Sequence, residues 1–575
     1  MQPHHPHPRL YQCVLVLTFL LSLWLRMAFP IHAIADAGHD DLLFVRQAFS
    51  IGSGNWLGTY DNLTHAKGIG LSLFIVVNHV LGLPLKFSEH ACYLGAALLF
   101  AATMGRVHRS RRATVVIFML LAFIPVVWSA GIGGRVVREN IYITLSLLML
   151  TLGIRCWVMP GASGTALTPA AQLRNQWPSL LLLGLVAGLF WITREEGVWM
   201  FPSMAVLGVY WLWTHRRQLR AWKPSVAFCL LPVLAASMVV GAVNLANYQR
   251  YGVFRNNDFR SSDFQAGYGS LTRIRHDTWQ RYVLFPRDAR ERAYAMSPAA
   301  RELRPFFEGA VGERWRGAGC DQTGTASCRE ILSGWFMWAL RDAVAEAGHY
   351  RDAREAQSFY KRLAAEIDEG CRRQPAECLP ARQTMTPPWR NIYLMDTLQT
   401  ARAVFDTLRT LGGWQVNVGQ SSGAPQRLTA FAIATNNALA PVAAGAPGAA
   451  AFGPTIVSPR DVKRVALAQW FARIECNLLT IGLPIALLLW LMWLVAAIIR
   501  RELTAPLVIA SALAAAVATR VLLLAFLEAT SIPSNNMLYL SPVAPMALAV
   551  LPVVLWGCLR FVRPHREQPP AFVSV

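Results

Sequence analysis

Two adjacent carboxylates, Asp40 and Asp41, stand just beyond the first long apolar block, in the segment ADAGHDD that ends at Asp41. A carboxylate at a membrane edge can take a proton from an attacking hydroxyl or hold a divalent cation. In a helical start the pair projects about 100° apart, so at most one faces a given cleft. Either could instead cap the helix expected from the amphipathic run Leu42–Ile51. Cations recur in four places: Lys67 in LTHAKG, Arg135 and Arg138 in RVVREN, Arg194 in TREE, and Arg520 inside a later apolar block. Arg135 and Glu139, four apart, are expected to pair on one helix face, with Glu139 also orienting Arg138. Arg520, about two turns inside its block, should face protein or a polar cavity. The plainer alternative for each arginine is snorkelling to the interface. Carboxylate plus cations at a bilayer edge suits transfer from a lipid-phosphate donor. The leaving phosphate gathers negative charge that guanidinium groups stabilise, and the acceptor hydroxyl needs a base.

The elements that must position these groups are membrane helices. The chain has 575 residues, 54% hydrophobic and 15% charged, against roughly a quarter charged in soluble proteins. Its apolar residues fall in blocks of about 18–25, enough to cross a hydrocarbon core as helices. Short basic loops, Arg106–Arg112, Arg155–Arg174, Arg216–Lys223, Arg500–Arg501 and the tail Arg560–Arg566, are expected to be cytoplasmic. Ten spans follow, near 10–31, 88–106, 114–131, 141–158, 179–193, 197–214, 225–246, 471–499, 504–527 and 538–561, with both termini inside. Gly68–Leu85 is left over and is taken as a juxtamembrane or re-entrant helix; a plain extra span is the alternative. Every acidic and arginine cluster above then lies on the outer face.

The expected organisation is an all-α polytopic fold in three parts. Residues 1–247 form a transmembrane module with a first outer loop at 32–67 and the juxtamembrane helix at 68–86. Residues 248–470 form a mostly helical extracytoplasmic domain, and 471–575 the last spans and tail. Within the middle part, Ser297–Ala310 and Trp338–Glu369 have helical spacing, and 423–455 is an Ala/Gly/Pro-rich linker. Cys320, Cys328, Cys371 and Cys378 lie in this domain. They suggest two disulfides, most simply 320–328 and 371–378, with a zinc site as the alternative. The net charge of +21 is not accompanied by a basic-aromatic motif, so nucleic acid is not an expected partner.

The residues resemble the GT-C glycosyltransferases, especially bacterial aminoarabinose and mannosyl transferases, over roughly residues 10–200 and more weakly the final span. The matching positions are Asp40/Asp41 after the first span, Lys67 before a membrane-lying helix, and Arg138/Glu139 at a later outer end. Two features depart: Lys67 precedes Gly-Ile-Gly instead of prolines, and Leu538 stands where relatives often carry an arginine before tyrosine. The resemblance implies a GT-C-like bundle of about ten spans that moves a sugar from a polyprenyl-phosphate donor to an acceptor hydroxyl, with inversion. The acceptor would be an envelope glycan, lipid or protein, and the site an inner (plasma) membrane. Asp41 or Asp40 would be the base, and Arg138, Lys67, Arg194 and Arg520 the phosphate ligands; no cofactor is certain, and a divalent metal is an option. Competing classes are a lipid or glycan transporter or flippase, and a glycan polymerase or ligase using Arg273, Arg275 and His276.

Overall fold

The computed structural model describes residues 8–562 apart from 160–167, 217–221, 278–279, 324–328, 383, 388, 414–415 and 446–457. Among them the regular structure is helical, with only isolated β-bridges. The transmembrane half contains α1 (Pro8–Arg26), α2 (Asp41–Gly52), α3 (Gly70–Val80), α4 (Leu85–Val107), α5 (Arg111–Ala122), α6 (Glu139–Gly153), α7 (Pro169–Thr193), α8 (Phe201–His215) and α9 (Trp222–Tyr251). The insertion domain carries α10 (Ser262–Thr272), α11 (Arg287–Met296), α12 (Ser333–Glu346), α13 (Ala353–Arg373), α14 (Tyr393–Arg409) and α15 (Pro425–Thr435). The chain then returns through α16 (Pro459–Arg500), α17 (Ala505–Thr530) and α18 (Ala544–Val562).

Among the described residues seven helices are long and apolar enough to cross a membrane: α1, α6 with its π-turn to Val158, α7, α9, α16, α17 and the stretch Met537–Val562. Three of the ten expected spans fall short. Helix α4 qualifies only joined to α3, from which it is bent by 111°, giving up to eight. Helix α5 stops at Ala122 and gives way to a 3-10 turn at Pro125–Val127, because proline lacks the donor that a helix interior needs. Helix α8 has only 15 residues. The expected juxtamembrane segment is therefore an 11-residue helix that turns sharply into α4.

Local chemistry sets the helix starts. Ser110, Thr168 and Ser458 each accept a backbone N–H in the first turn of α5, α7 and α16, the last two with proline at the first helical position. Helices α7 and α9 approach closely because Gly184 and Gly188 leave room; a Cβ at 184 would sit 2.3 Å from the Pro232 carbonyl oxygen. Four-residue spacing of small side chains is how apolar helices pack where no hydrophobic drive exists.

The insertion domain has its own core, in which Phe264, Tyr268, Phe336, Leu340, Phe359 and Leu363 are buried. The helical stretch expected at Trp338–Glu369 is two helices, α12 and α13, separated near Gly348 with φ of 87°. Ser297–Ala310 is likewise split, into Pro298–Glu302 and Arg304–Glu308, proline 305 resetting the helix. The segment expected to be a linker is corrected in its first half. Pro425 starts a helix that buries Leu428 and Phe431 against α2 and α3, since the alanines around them are strong helix formers. Residues 446–455 of it lie outside the described residues.

Candidate active site

Five chain segments, at residues 40–41, 67, 135–139, 194–196 and 520, meet at the end of the bundle that carries the insertion domain. Asp40 and Asp41 open α2. Asp40 occupies the cap position yet makes no capping hydrogen bond, because its carboxylate is engaged elsewhere. Lys67 donates to Asp40 at 2.5 Å, and Arg135 reaches Asp40 at 3.2 Å and also grips Asp41. The two acids differ in exposure: the Asp41 side chain is fully buried, whereas the Asp40 side chain is 35% exposed.

The expected pairing within RVVREN is corrected. Residues 132–138 are not helical, and α6 begins at Glu139, so Arg135 and Glu139 are not helix-face neighbours. Nor does Glu139 hold Arg138. Arg138 donates to both carboxylate oxygens of Glu195 at 2.7 Å, while Glu139 accepts from Arg194. The crossing arises because the loop residues 194–196 lie over the start of α6. Arg194 continues to Glu196 at 3.3 Å, and Glu196 lies 3.1 Å from Arg520. Arg520 is fully buried and does not snorkel; its Nε and Nη2 also donate to the Tyr539 carbonyl at 2.9 and 2.6 Å.

The result is a cluster of five cations (Lys67, Arg135, Arg138, Arg194, Arg520) and five carboxylates (Asp40, Asp41, Glu139, Glu195, Glu196), held as three ion-paired groups within electrostatic reach of one another. Its formal charge is zero, which is how so many charges can share a recess poor in water. Asp40 and Glu196 are the most exposed of these carboxylates, and Arg194 Nε has no hydrogen-bond partner among the described residues.

Burial and charge pull these groups apart in acidity. For Asp40 burial is the largest influence and acts upward, but Lys67 and Arg135 outweigh it and hold the carboxyl at about 2. For Asp41 burial prevails over Arg135, with repulsion from Asp40 added, and raises it to about 6. Burial draws the Lys67 ammonium below its ordinary value, opposed by Asp40. Glu196 resists burial through Arg194 and Arg520 and is held at about 2.

The glycines after Lys67 have a packing reason. A Cβ on Gly68 would lie 2.2 Å from the Ile192 carbonyl oxygen, and one on Gly70 would lie 2.1 Å from Thr193 Oγ1. Only glycine lets this strand press against the end of α7 and bring Lys67 toward the arginines. The insertion domain fixes the same strand from the other side. Arg341 on α12 is fully buried; it donates to the Asn62 carbonyl at 2.6 Å and to Asp258 at 2.9 Å. Asp258 N–H donates to the His65 carbonyl, and Asn257 to the Ala66 carbonyl and to Glu195. Trp338 and Phe44 lie against the Lys67 ammonium, each ring 5.4 Å away.

Sequence reasoning missed Asn257, Arg260, Trp338 and Arg341, which reach the site from the insertion domain, far along the chain from residues 62–67 and 194–195 that they contact. Arg260 stacks 3.8 Å over Trp191 and donates to the Arg194 and Glu195 carbonyls. No local signal marks such partners. The residues weighed for a ligase are engaged inside the domain. Arg273 pairs with Asp368 at 2.8 Å, Arg275 donates to the Cys378 carbonyl, and His276 Nε2 lies 3.2 Å from the Leu284 carbonyl. Cys371 and Cys378 form a disulfide; the Cys320–Cys328 pairing lies outside the described residues. Among the described residues no group of three or more His, Cys, Asp or Glu is arranged to hold a metal ion.

No family model, curated protein or solved structure matches the chain. Its chemistry has to be read from the geometry.

Proposed function

We propose that the protein is a membrane glycosyltransferase of GT-C-like helical arrangement that takes a sugar from a polyprenyl-phosphate donor. The observation that carries this reading is a partly exposed carboxylate, Asp40, gripped by Lys67 and Arg135 beside the further cations Arg138, Arg194 and Arg520 at the end of an apolar bundle. Asp40 is the base, and Asp41 holds Arg135 in place. Arg194 and Arg520, with Lys67 and Arg138, receive the donor phosphate, which exchanges with Glu196. The acceptor oxygen attacks the anomeric carbon while its proton passes to Asp40. The bond from that carbon to the phosphate oxygen breaks, and its electron pair leaves on polyprenyl phosphate, now bearing the charge that the guanidinium groups stabilise.

A carboxylate held at about 2 is ionised but weakly basic. Donor binding corrects this. A phosphate that draws Lys67 away from Asp40 removes the main force depressing its basicity, so the base strengthens once the donor is seated. The disulfide at 371–378 supports an oxidising, extracytoplasmic setting for the insertion domain, and hence a site on the outer face of a plasma membrane with both termini inside. The test is sugar transfer from a radiolabelled polyprenyl-phosphate sugar in right-side-out and inverted vesicles. Transfer confined to the face bearing the insertion domain, and lost in Asp40→Asn, is expected. Undiminished transfer in that variant would end the assignment.

A further inference from the structure

Helix α14 belongs by sequence to the insertion domain, but its packing does not. Its main partners are the spans α17 and α16, together with the short turns at Leu411–Gly413 and Met537–Leu540. At its start Trp389 and Tyr393 lie 5.7 and 6.2 Å from Phe526 near the end of α17. At its end Arg409 donates to the Thr480 carbonyl at 3.3 Å, and Thr480 Oγ1 returns a bond to the Arg409 carbonyl. Thr480 is midway along α16, inside an apolar stretch. The helix therefore runs alongside membrane-spanning surfaces.

Its outward side is strongly apolar where it begins. Trp389, Ile392, Leu394, Met395 and Leu398 are between 47% and 64% exposed. Clusters of this kind on a water-facing domain mark an interaction surface. Further along, Phe405 joins Leu487, Leu491, Val517 and Leu522 in lining an open apolar groove of about 880 Å³, so the patch is continuous with the flanks of the spans. Charged residues are interspersed: Arg390, Asp396 and Arg402 are also exposed. Apolar bulk with charges at intervals is the pattern of a helix lying at the headgroup boundary, its body some 5–10 Å into the leaflet.

We propose that the segment Trp389–Arg409 is embedded in the lipid leaflet on the insertion-domain side. Phospholipid acyl chains cover Ile392, Leu394, Met395 and Leu398, and Arg390, Asp396 and Arg402 reach the headgroups. The domain is thereby anchored beside the bundle through α14 and does not ride on its connecting strands alone. This holds whatever reaction the charged cluster performs.

The test uses the full chain in phospholipid vesicles, with a photoreactive benzophenone amino acid replacing Leu394, Met395 or, as a control, Arg372 on the exposed face of α13. Illumination is expected to give lipid adducts at 394 and 395 several-fold above those at 372. Adduct yields equal to the control, or crosslinks to a second copy of the chain in place of lipid, would overturn the proposal. On the unaltered protein, hydroxyl-radical labelling in the same vesicles should leave Met395 largely unoxidised; oxidation as extensive as in the lipid-free, denatured chain would overturn it as well.

Discussion

The guanidinium of Arg135 crosses from the loop before α6 to the carboxylate of Asp41, which is fully buried at the first turn of α2. This contact makes two acids that are neighbours in sequence unequal. Asp41 anchors a cation out of reach of solvent, and Asp40 stays partly exposed. Asp40→Asn should lower transfer by about 10²–10⁴-fold, the usual weight of a positioned base, with the protein folding normally. Asp41→Asn should instead reduce thermal stability as well as rate, since it leaves Arg135 without its buried partner. Paired measurements of turnover and melting in detergent check both. Equal stability loss in the two variants would contradict the division of labour.

The same pair predicts a pH response with opposite signs for activity and stability. Asp41 is raised to about 6 from an ordinary value near 4, so between those values the folded protein holds a proton that the unfolded chain does not. Lowering the pH through this window therefore favours the folded state through this group. Protonation also weakens the grip on Arg135, so kcat/KM should fall as pH drops through about 6. Asp40 works the other way: its lowered value contributes stability that is present above pH 4 and is lost toward 2. Because the two carboxyls interact, the inflection belongs to the pair. Asp41→Asn should abolish the acid limb near 6, and a limb that persists unchanged would assign it elsewhere.

Glu139 and Arg194 join the start of α6 to the end of α7 with both side chains nearly buried. A double-mutant cycle between them should give a coupling of about 1–3 kcal/mol, whereas Glu139 with its neighbour Arg138 should give markedly less. Thermal inactivation midpoints of the four variants in each cycle supply the numbers. The reverse ranking would restore the pairing that chain proximity suggests.

The membrane class and the clustering of acids and arginines at loop ends were legible because hydropathy and charge are properties of short segments. The partners were not. Arg138 lies beside Glu139 in the chain yet pairs with Glu195, 57 residues away, since loop geometry and not helix periodicity governs residues 132–138. Helices α5 and α8 fell short as spans because Pro125 and the turn at Gly197–Met200 interrupt blocks whose composition alone looks continuous. The helix α15 reads as linker in the sequence because glycines and prolines near it mask Leu428 and Phe431. Asn257 and Arg341 could not be assigned to the site before folding brought the insertion domain over residues 62–66.

Gly68 offers a test of how Lys67 is placed that leaves every charged group intact. The Ile192 carbonyl oxygen stands 2.2 Å from where a Cβ would be, and that oxygen is helix backbone and cannot swing aside. Gly68→Ala must therefore push the strand off the end of α7, at a cost of about 1–3 kcal/mol as in other overpacked sites. Lys67 would move with it, loosening its 2.5 Å contact to Asp40 and its approach to the phosphate ligands. The expected outcome is a raised KM for the donor and a lowered kcat, with the melting point down by a few degrees. Gly82→Ala, at a position where no atom lies within 4 Å but φ is 67°, serves as the control, because it strains the backbone outside the cluster and should lower stability while leaving KM unchanged. If Gly68→Ala altered stability alone, Lys67 would have no part in holding the donor.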